Sequence, residues 1–222
     1  MDPNFGGEGG YVICKNWIKD SQGIVNIGIN GFDAFGCQVS AEGNFINEQY
    51  DCYNLTETPC ADNGYQNHMH NSCLGEKTEE DHEGRKYQTY QNILRETHLE
   101  NKRIILKIDC EGCEFPGLKY IPVEMFDKVD MIVGEWHLRT GYMEEWGILD
   151  IVRTLTEKFV VVNLHMTNFA CSFSPLRKVK ALAMEYTMVN KKLITKRSES
   201  QSYALHPLNK PSVNQNKDCQ II

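Results

Sequence analysis

An apolar run that ends in three carboxylates is the feature of this sequence that most restricts its fold. Residues 104–108 read Ile-Ile-Leu-Lys-Ile, and Asp109, Glu111 and Glu114 follow around Gly112. A short, β-branched run of this kind is typical of a strand buried on both faces, as in a parallel sheet. The acids then fall at the carboxyl end of the strand, where open α/β sheets bind ligands. The alternative is a solvated acidic loop that begins the next helix.

The rest of the chain alternates between strand and helix patterns. Strands are predicted at 23–28, 45–51, 103–109, 129–135, 159–165 and 181–189, with a short one near 70–74; helices are predicted at 31–42, 87–99, around 123–126 and at 142–158. This alternation predicts a single α/β domain with a mostly parallel sheet. We assign residues 1–195 to that domain and 196–222 to a polar, basic and mobile tail.

Length and charge exclude several classes of function. A chain of 222 residues suffices for one α/β domain with a substantial core. The net charge of −7 is uneven, since the chain from Lys191 onward has six basic and two acidic side chains. The acidic body argues against a nucleic-acid substrate, because phosphate binding requires a basic face. No apolar run approaches the roughly 20 residues that cross a bilayer.

The cysteines and the first residues bear on the compartment. The beginning of the sequence has neither the basic nor the apolar region of a secretory signal, which predicts a cytoplasmic protein. Nine scattered cysteines, an odd number, do not indicate a disulfide framework. Cys52 and Cys60 flank the glycosylation-type triplet 54–56, so a luminal or secreted location stays open if an N-terminal segment is missing.

A glycine-containing loop, residues 28–31, joins the first strand to the first helix. Its glycines permit positive φ and let backbone amides approach a ligand. The spacing is not that of dinucleotide binders, which disfavours a nicotinamide-dependent oxidoreductase. Asp51 ends the next strand about 20 residues later, where an acid can accept hydrogen bonds from ribose hydroxyls. A capping or turn aspartate is the alternative, but together the loop and Asp51 indicate a nucleoside-containing cofactor.

The acidic segment and an ordered series of motifs resemble FkbM-type and related methyltransferase-like domains, which use S-adenosylmethionine. Residues 107–114, Lys-Ile-Asp-Cys-Glu-Gly-Cys-Glu, are similar to the Lys-x-Asp-x-Glu-Gly-x-Glu signature of those domains. Other segments that are similar in order and spacing are 6–10, 28–30, 35–39, 50–52, 74–75, 135–137, 165–168 and 185–190. The resemblance spans residues 6–193.

The resemblance implies a Rossmann-like, seven-stranded, mostly parallel sheet with helices on both faces and an antiparallel last strand. The cofactor-binding residues that it implies are Gly28, Asn30, Gly31, Asp51 and Asp109. The residues that it implies around the methyl group and the acceptor are Asp109, Glu111, Glu135 and His137. Cys110 and Cys113 stand where those domains usually have aliphatic or small residues, so a catalytically silent domain acting in assembly or binding stays open.

Methyl transfer is an in-line displacement from a sulfonium, for which a protein mainly supplies alignment and electrostatics. The favoured function is O-methylation of a small molecule, a glycan or a protein side chain. A hydroxyl acceptor must lose its proton, and His137 is the first candidate base because its reference pKa lies nearest neutrality. Glu135 or Asp109 could orient His137 or replace it as base. The alternative for His137 is a hydrogen-bonded structural histidine.

Two metal sites are conceivable, although the favoured function includes no metal. Asp109, Glu135 and His137, at two strand ends, would offer magnesium or manganese an oxygen-rich site. Zinc is less favoured, because the spacing of its candidate ligands is not diagnostic. Those ligands are His68, His70, Cys73, Cys110 and Cys113.

The last four residues, Cys219-Gln220-Ile221-Ile222, fit a prenylation pattern. Basic residues precede them, and a prenyl chain with basic charge gives stable membrane attachment. Peripheral membrane attachment through Cys219 is therefore predicted as an alternative to an ordinary free C-terminus.

Overall fold

The computed structural model describes residues 11–31, 33–54, 66–138, 148–168, 182–194 and 209. The strands are β1 (Gly23–Ile27), β2 (Ile46–Asp51), β3 (Asn67–Asn71), β4 (Cys73–Leu74), β5 (Glu79–Glu80), β6 (Lys86–Gln88), β7 (Ile104–Ile108), β8 (Val129–His137), β9 (Phe159–Met166) and β10 (Ala183–Asn190). The helices are α1 (Lys15–Ile18), α2 (Ala34–Gly43), α3 (Tyr90–Glu96), α4 (Glu114–Leu118) and α5 (Ile148–Lys158), with 3-10 helices at Val123–Phe126 and Lys191–Leu193.

Seven strands form the main sheet in the order β3-β2-β1-β7-β8-β10-β9. All pairs from β3 to β8 are parallel, whereas β10 runs antiparallel to both of its neighbours. The predicted Rossmann-like, mostly parallel sheet with an antiparallel last strand is therefore confirmed. Strands β4, β6 and β5 form a separate three-stranded sheet.

The main sheet is covered on both faces, as predicted. Alternate residues of each strand point to opposite faces. Ile105 of β7 packs with Ile18 of α1 and Val39 of α2, whereas its neighbour Leu106 packs on the other face with Ile93 of α3. All five residues of β7 are buried, which explains why this strand reads as a continuous apolar run in the sequence.

Most predicted elements are present with small shifts of their ends. Helix α2 begins at Ala34 because the Asp33 side chain caps it by accepting from the Gly36 backbone N at 2.6 Å. The helix predicted at 87–99 begins at Tyr90, after the Thr89 cap. The segment predicted near 70–74 is two strands, β3 and β4, and the chain before α3 contains β5 and β6, which were not predicted. Residues 142–147 of another predicted helix lie outside the described residues.

The scattered cysteines do not indicate a disulfide framework in the sequence, but the structure contains disulfides. Cys52 bonds to Cys73, which ties the end of β2 to β4, and Cys110 bonds to Cys113. Cys37 is also disulfide-bonded. The same bonds remove the cysteines of the less favoured zinc set, because disulfide sulfurs do not supply the thiolates that zinc requires.

The C-terminal tail is described only at Asn209, so the predicted prenylation at Cys219 lies outside the described residues. The side chains of Asn209 and Asn163 exchange two amide hydrogen bonds, of 3.1 and 3.2 Å. These bonds attach residue 209 to β9 at the edge of the sheet. Among the described helices, none is both long enough and apolar enough to cross a membrane.

Replacing Cys52 and Cys73 together by alanine should lower the free energy of unfolding by about 3 kcal/mol, because the bond closes a loop of some 20 residues. Urea unfolding followed by circular dichroism measures the difference. Cys14→Ala is the matched control, since Cys14 is an exposed free thiol. Equal stability of the double variant and the control would contradict the stapling role.

Candidate functional site

The carboxyl ends of β1, β2, β7 and β8 lie at one edge of the main sheet. From β1 the chain continues to β2 and β3 on one side, and β7 and β8 lie on the other. The strand order thus reverses between β1 and β7. A reversal of this kind opens a crevice beyond the strand ends, where open α/β sheets bind their ligands.

The loop after β1 is shaped by residues with positive φ. Gly28 has φ 79°, Asn30 47° and Gly31 77°. A Cβ atom at Gly28 would lie 1.8 Å from the carbonyl oxygen of Asp109. Only glycine therefore fits at position 28, and the loop after β1 touches the loop after β7 through backbone atoms.

Lys107 joins the same two loops. Its buried Nζ donates to the carbonyl oxygen of Gly28 at 2.5 Å and lies 3.7 Å from Asp109 Oδ2. The backbone N of Asp109 donates to the Ile27 carbonyl at 3.0 Å. The predicted cofactor loop and the acidic end of β7 are therefore held side by side.

The Asp51 carboxylate holds the loop after β1 against the loop after β2. Its Oδ2 accepts from the backbone N of Ile29 at 3.2 Å and of Asn30 at 2.8 Å, and its Oδ1 accepts from Tyr53 at 2.8 Å and Asn54 at 3.0 Å. A carboxylate offers about four acceptor positions. These amides therefore fill Asp51, and a ribose hydroxyl would have to share or replace one of them.

His137 lies at the centre of a group of carboxylates. Its Nδ1 is 2.7 Å from Glu114 Oε1, and its Nε2 is 3.5 Å from Glu111 Oε2 and 4.0 Å from Asp109 Oδ1. Glu114 is completely buried, whereas the Glu111 side chain is 74% exposed. The imidazole thus connects a buried acid on α4 with an exposed acid in the loop after β7.

The surrounding acids determine the charge of His137. Burial disfavours the charged ring, but hydrogen bonds to Glu111 and Glu114 and the charges of Glu114 and Glu135 outweigh burial and raise the pKa of His137 to about 10. At neutral pH, with the acids ionised and no ligand bound, the ring is therefore an imidazolium. It then stabilises negative charge and has no free nitrogen with which to accept a proton.

Glu135 lies in a row of polar side chains across three strands. It is opposite Glu185 of β10, which is opposite His165 of β9. The Nδ1 atom of His165 is 2.8 Å from Glu185 Oε2, and both side chains are buried. This row extends the polar edge of the sheet beyond the predicted site.

Two neighbours of the predicted residues were not predicted as site residues. The Tyr11 hydroxyl donates to Asp109 Oδ2 at 2.7 Å. Burial and the negative charge of Asp109 raise the pKa of Tyr11 well above its usual value, so it stays a donor. Glu114 is the last residue of the acidic signature, and that position is the sequence signal that indicates it. No sequence signal indicates Tyr11, because it is 98 residues from Asp109.

The structure brings most of the predicted site residues to one place. The loop after β1 touches Asp109, and Asp109, Glu135 and His137 each offer a ligand atom within 4.8 Å of the others. The Asp51 carboxylate contacts the same loop, because it accepts hydrogen bonds from the backbone amides of Ile29 and Asn30. The role of each residue in cofactor binding or catalysis stays a prediction.

Comparison with known proteins gives distant likenesses only. No model of a known protein family and no curated protein matches the chain. One similar structure is the 16S rRNA methylase ArmA, with 10% identity, a TM-score of 0.35, and coverage of 79% of this chain and 77% of that chain. Another is described as a SAM-dependent methyltransferase from Streptococcus mutans, with 9% identity, a TM-score of 0.34, and coverage of 78% and 46%. Such values carry no argument about activity, and membership of the FkbM type stays a prediction.

The stabilising effect of His137 should depend on pH. Its pKa rises from 6.5 to about 10 on folding, so its contribution to the free energy of unfolding is complete below about pH 6.5 and is lost as the pH rises through about 10. In urea unfolding, the free energy of unfolding should fall less between pH 6.5 and 10 for His137→Gln than for the parent. His82→Gln, at an exposed histidine, should keep the parent's slope. An unchanged slope in His137→Gln would contradict the assigned charge.

Proposed function

We propose that this chain is an S-adenosylmethionine-dependent methyltransferase that methylates an oxygen of a small molecule, a glycan or a protein side chain. One observation carries the proposal. The glycine loop after β1 and the acidic ends of β7 and β8 meet at one edge of the main sheet, at the point where the strand order reverses. The resemblance to the methyltransferase signature supports the same function.

The residues of the crevice suit the proposed cofactor. S-adenosylmethionine has a positively charged sulfonium and ammonium, and supplies an electrophilic methyl group when bound. Asp109, Glu111 and Glu135 place negative charge at the end of the crevice that these cations would occupy. Gly28 and Gly31 carry no side chains, so the backbone at these two positions can approach a neighbouring group or a ligand closely.

The proposed role of Asp51 follows from its four amide bonds. Two of them hold the loop after β1 and two hold the loop after β2, so Asp51 would shape the cofactor site as well as, or instead of, binding ribose. The charge of His137 also changes its proposed role. As an imidazolium it would orient Glu111 and balance negative charge, and Glu135 or Asp109 would take the proton of the acceptor hydroxyl.

The second candidate function is a catalytically silent domain that acts in assembly or binding. The filled carboxylate of Asp51 favours it, because a ribose would compete with amides that are already bonded. Calorimetry with S-adenosylmethionine and with NAD separates the candidates. Binding of the first supports the methyltransferase, binding of NAD supports an oxidoreductase, and binding of neither supports the silent domain.

The compartment and the acceptor are also proposals. Disulfides are typical of oxidising compartments, so of the two predicted locations we favour the luminal or secreted one. Attachment through a prenylated Cys219 belongs with the cytoplasmic alternative and stays a prediction. The acidic body is the reason for proposing an acceptor other than a nucleic acid.

Gly28→Ala should abolish measurable binding of S-adenosylmethionine, because the added Cβ would displace the loop from Asp109. Gly84→Ala is the matched control. Gly84 has a φ of 78°, close to that of Gly28, but lies in the turn before β6, where the nearest atom to its Cβ position is a Glu80 carboxylate oxygen at 4.0 Å. Alanine must adopt a positive φ at either position, so both variants should lose similar stability. Thermal unfolding measures that loss. Loss of binding in both variants, or in neither, would contradict the placement of the pocket.

Asp51→Ala should weaken binding of S-adenosylmethionine at least about tenfold, because four backbone amides lose their acceptor and a buried unmade hydrogen bond costs about 1–3 kcal/mol. Isothermal calorimetry gives the dissociation constant. Asp81→Ala is the control, since Asp81 also accepts from backbone amides, of Glu83 and Arg85, in the turn between β5 and β6. If Asp51→Ala binds as tightly as the control, the cofactor lies elsewhere.

A further inference from the structure

We propose that Asp109, Glu135 and His137 bind a divalent cation of the magnesium and manganese class at the mouth of the crevice. One ligand atom of each residue lies within 4.8 Å of the others. A cation about 2.1 Å from each of three ligands requires them to be roughly 3–4 Å apart. The donors are thus near the spacing of a coordination site, and small side-chain rotations would complete it.

The sheet holds these donors on one side of the crevice. Glu135 and His137 are two residues apart on β8, so their side chains leave the same face of the strand. Asp109 follows β7, the parallel neighbour of β8. Its Oδ2 is held by the Tyr11 hydroxyl at 2.7 Å, while its Oδ1 is the atom directed at His137, 4.0 Å from Nε2.

The contact between His137 and Glu114 is the observation that distinguishes this site from a simple acidic cluster. A histidine that binds a metal almost always donates its other ring N–H to a carboxylate or carbonyl. Here Nδ1 is 2.7 Å from the fully buried Glu114, which directs Nε2 at Asp109 and Glu111. A cation at Nε2 takes the place of a proton on that nitrogen.

Glu114 is itself built into the site. Its Oε1 also accepts from the Cys110 backbone N at 3.1 Å, so the loop after β7 fixes the carboxylate. Its Oε2 is buried and accepts no hydrogen bond within the part of the chain that the structure describes. An acid placed in this way, behind the imidazole and closed to solvent, is suited to orienting a ligand and cannot itself reach a substrate.

The donor set determines the class of cation. Two carboxylates with one imidazole suit manganese or magnesium better than soft metals, which prefer thiolates. The nearby cysteines, 110 and 113, are oxidised to a disulfide and offer no thiolate. Glu111, beside His137, is 74% exposed, so this side of the donor group is open to solvent and water or a substrate oxygen would supply the remaining ligands.

The role of the cation rests on the proposed function, although its binding does not. A bound divalent cation would lower the pKa of an acceptor hydroxyl and orient its oxygen toward the methyl group. The hydroxyl proton would pass to a carboxylate or water, the oxygen would bond to the methyl carbon, and the carbon–sulfur bond would break with its electrons on sulfur. The class of acceptor inferred is therefore a hydroxyl compound that can reach the cation.

The experiment measures Mn²⁺ binding to the full chain without S-adenosylmethionine, by electron paramagnetic resonance of the free ion. We expect one ion per chain, at least tenfold weaker binding in Glu135→Gln and in Asp109→Asn, and unchanged binding in Glu80→Gln. Glu80 lies on the exposed strand β5, so this control makes the same charge change away from the crevice. Thermal unfolding of each variant shows whether it is folded.

Two further measurements test the histidine. Spin-echo modulation of bound Mn²⁺ should show an imidazole nitrogen in the parent and lose it in His137→Asn. Glu114→Ala should weaken binding about 10–100-fold, as for other carboxylates that orient metal ligands, and Glu114→Gln should recover part of the loss because it keeps an acceptor oxygen. A parent chain that binds no Mn²⁺ at millimolar concentration, or variants that bind like Glu80→Gln, would overturn the proposal.

Calorimetry with S-adenosylmethionine in the presence of EDTA keeps the two proposals apart. If the chain binds Mn²⁺ but not S-adenosylmethionine, the cation site is supported and the methyltransferase proposal is contradicted. Cofactor binding without Mn²⁺ binding ends the cation proposal and indicates that the acids serve the sulfonium alone.

Discussion

The contact between Gly28 and the Asp109 carbonyl is the constraint on which the site depends. It brings the loop after β1 against the loop after β7 with no side chain between them. Lys107 reinforces the contact, because its ammonium donates to the Gly28 carbonyl and lies beside the Asp109 carboxylate. A buried ammonium between two strand ends fixes both a carbonyl and an acid, so the position of the loop after β1 and the position of the acids are not independent.

The second property of the site is the concentration of carboxylates around one imidazole. Asp109, Glu111 and Glu114 come from a single loop and the helix that follows it, and Glu135 comes from the next strand. Such acids repel one another unless cations separate them. In this chain His137 provides one positive charge, and its raised pKa is the measure of that environment. A sulfonium or a divalent cation would serve the same electrostatic need, which is why both proposals concern the same few atoms.

The fold was largely predictable because buried parallel strands produce a strong signal. Strands β1, β7 and β8 are covered on both faces and read as apolar runs that end in glycine or an acid. Strands β5 and β6 gave no such signal, because they have two and three residues and are exposed or half-buried. The disulfide between Cys52 and Cys73 was also beyond prediction, since those residues meet only because β2 pairs with β3.

For the site, the sequence by itself determined which chemical groups stand at the strand ends: the glycines of the first loop, Asp51, the acids after β7, and the Glu-x-His pair of β8. Tertiary structure alone decided what surrounds them. The four amides on Asp51 come from two different loops, the hydroxyl on Asp109 comes from Tyr11, and the charge of His137 depends on Glu111 and Glu114, which lie on its two ring nitrogens. Residue spacing can place groups along one strand, but hydrogen-bond partners and proton affinity depend on neighbours that only folding brings within a few ångströms.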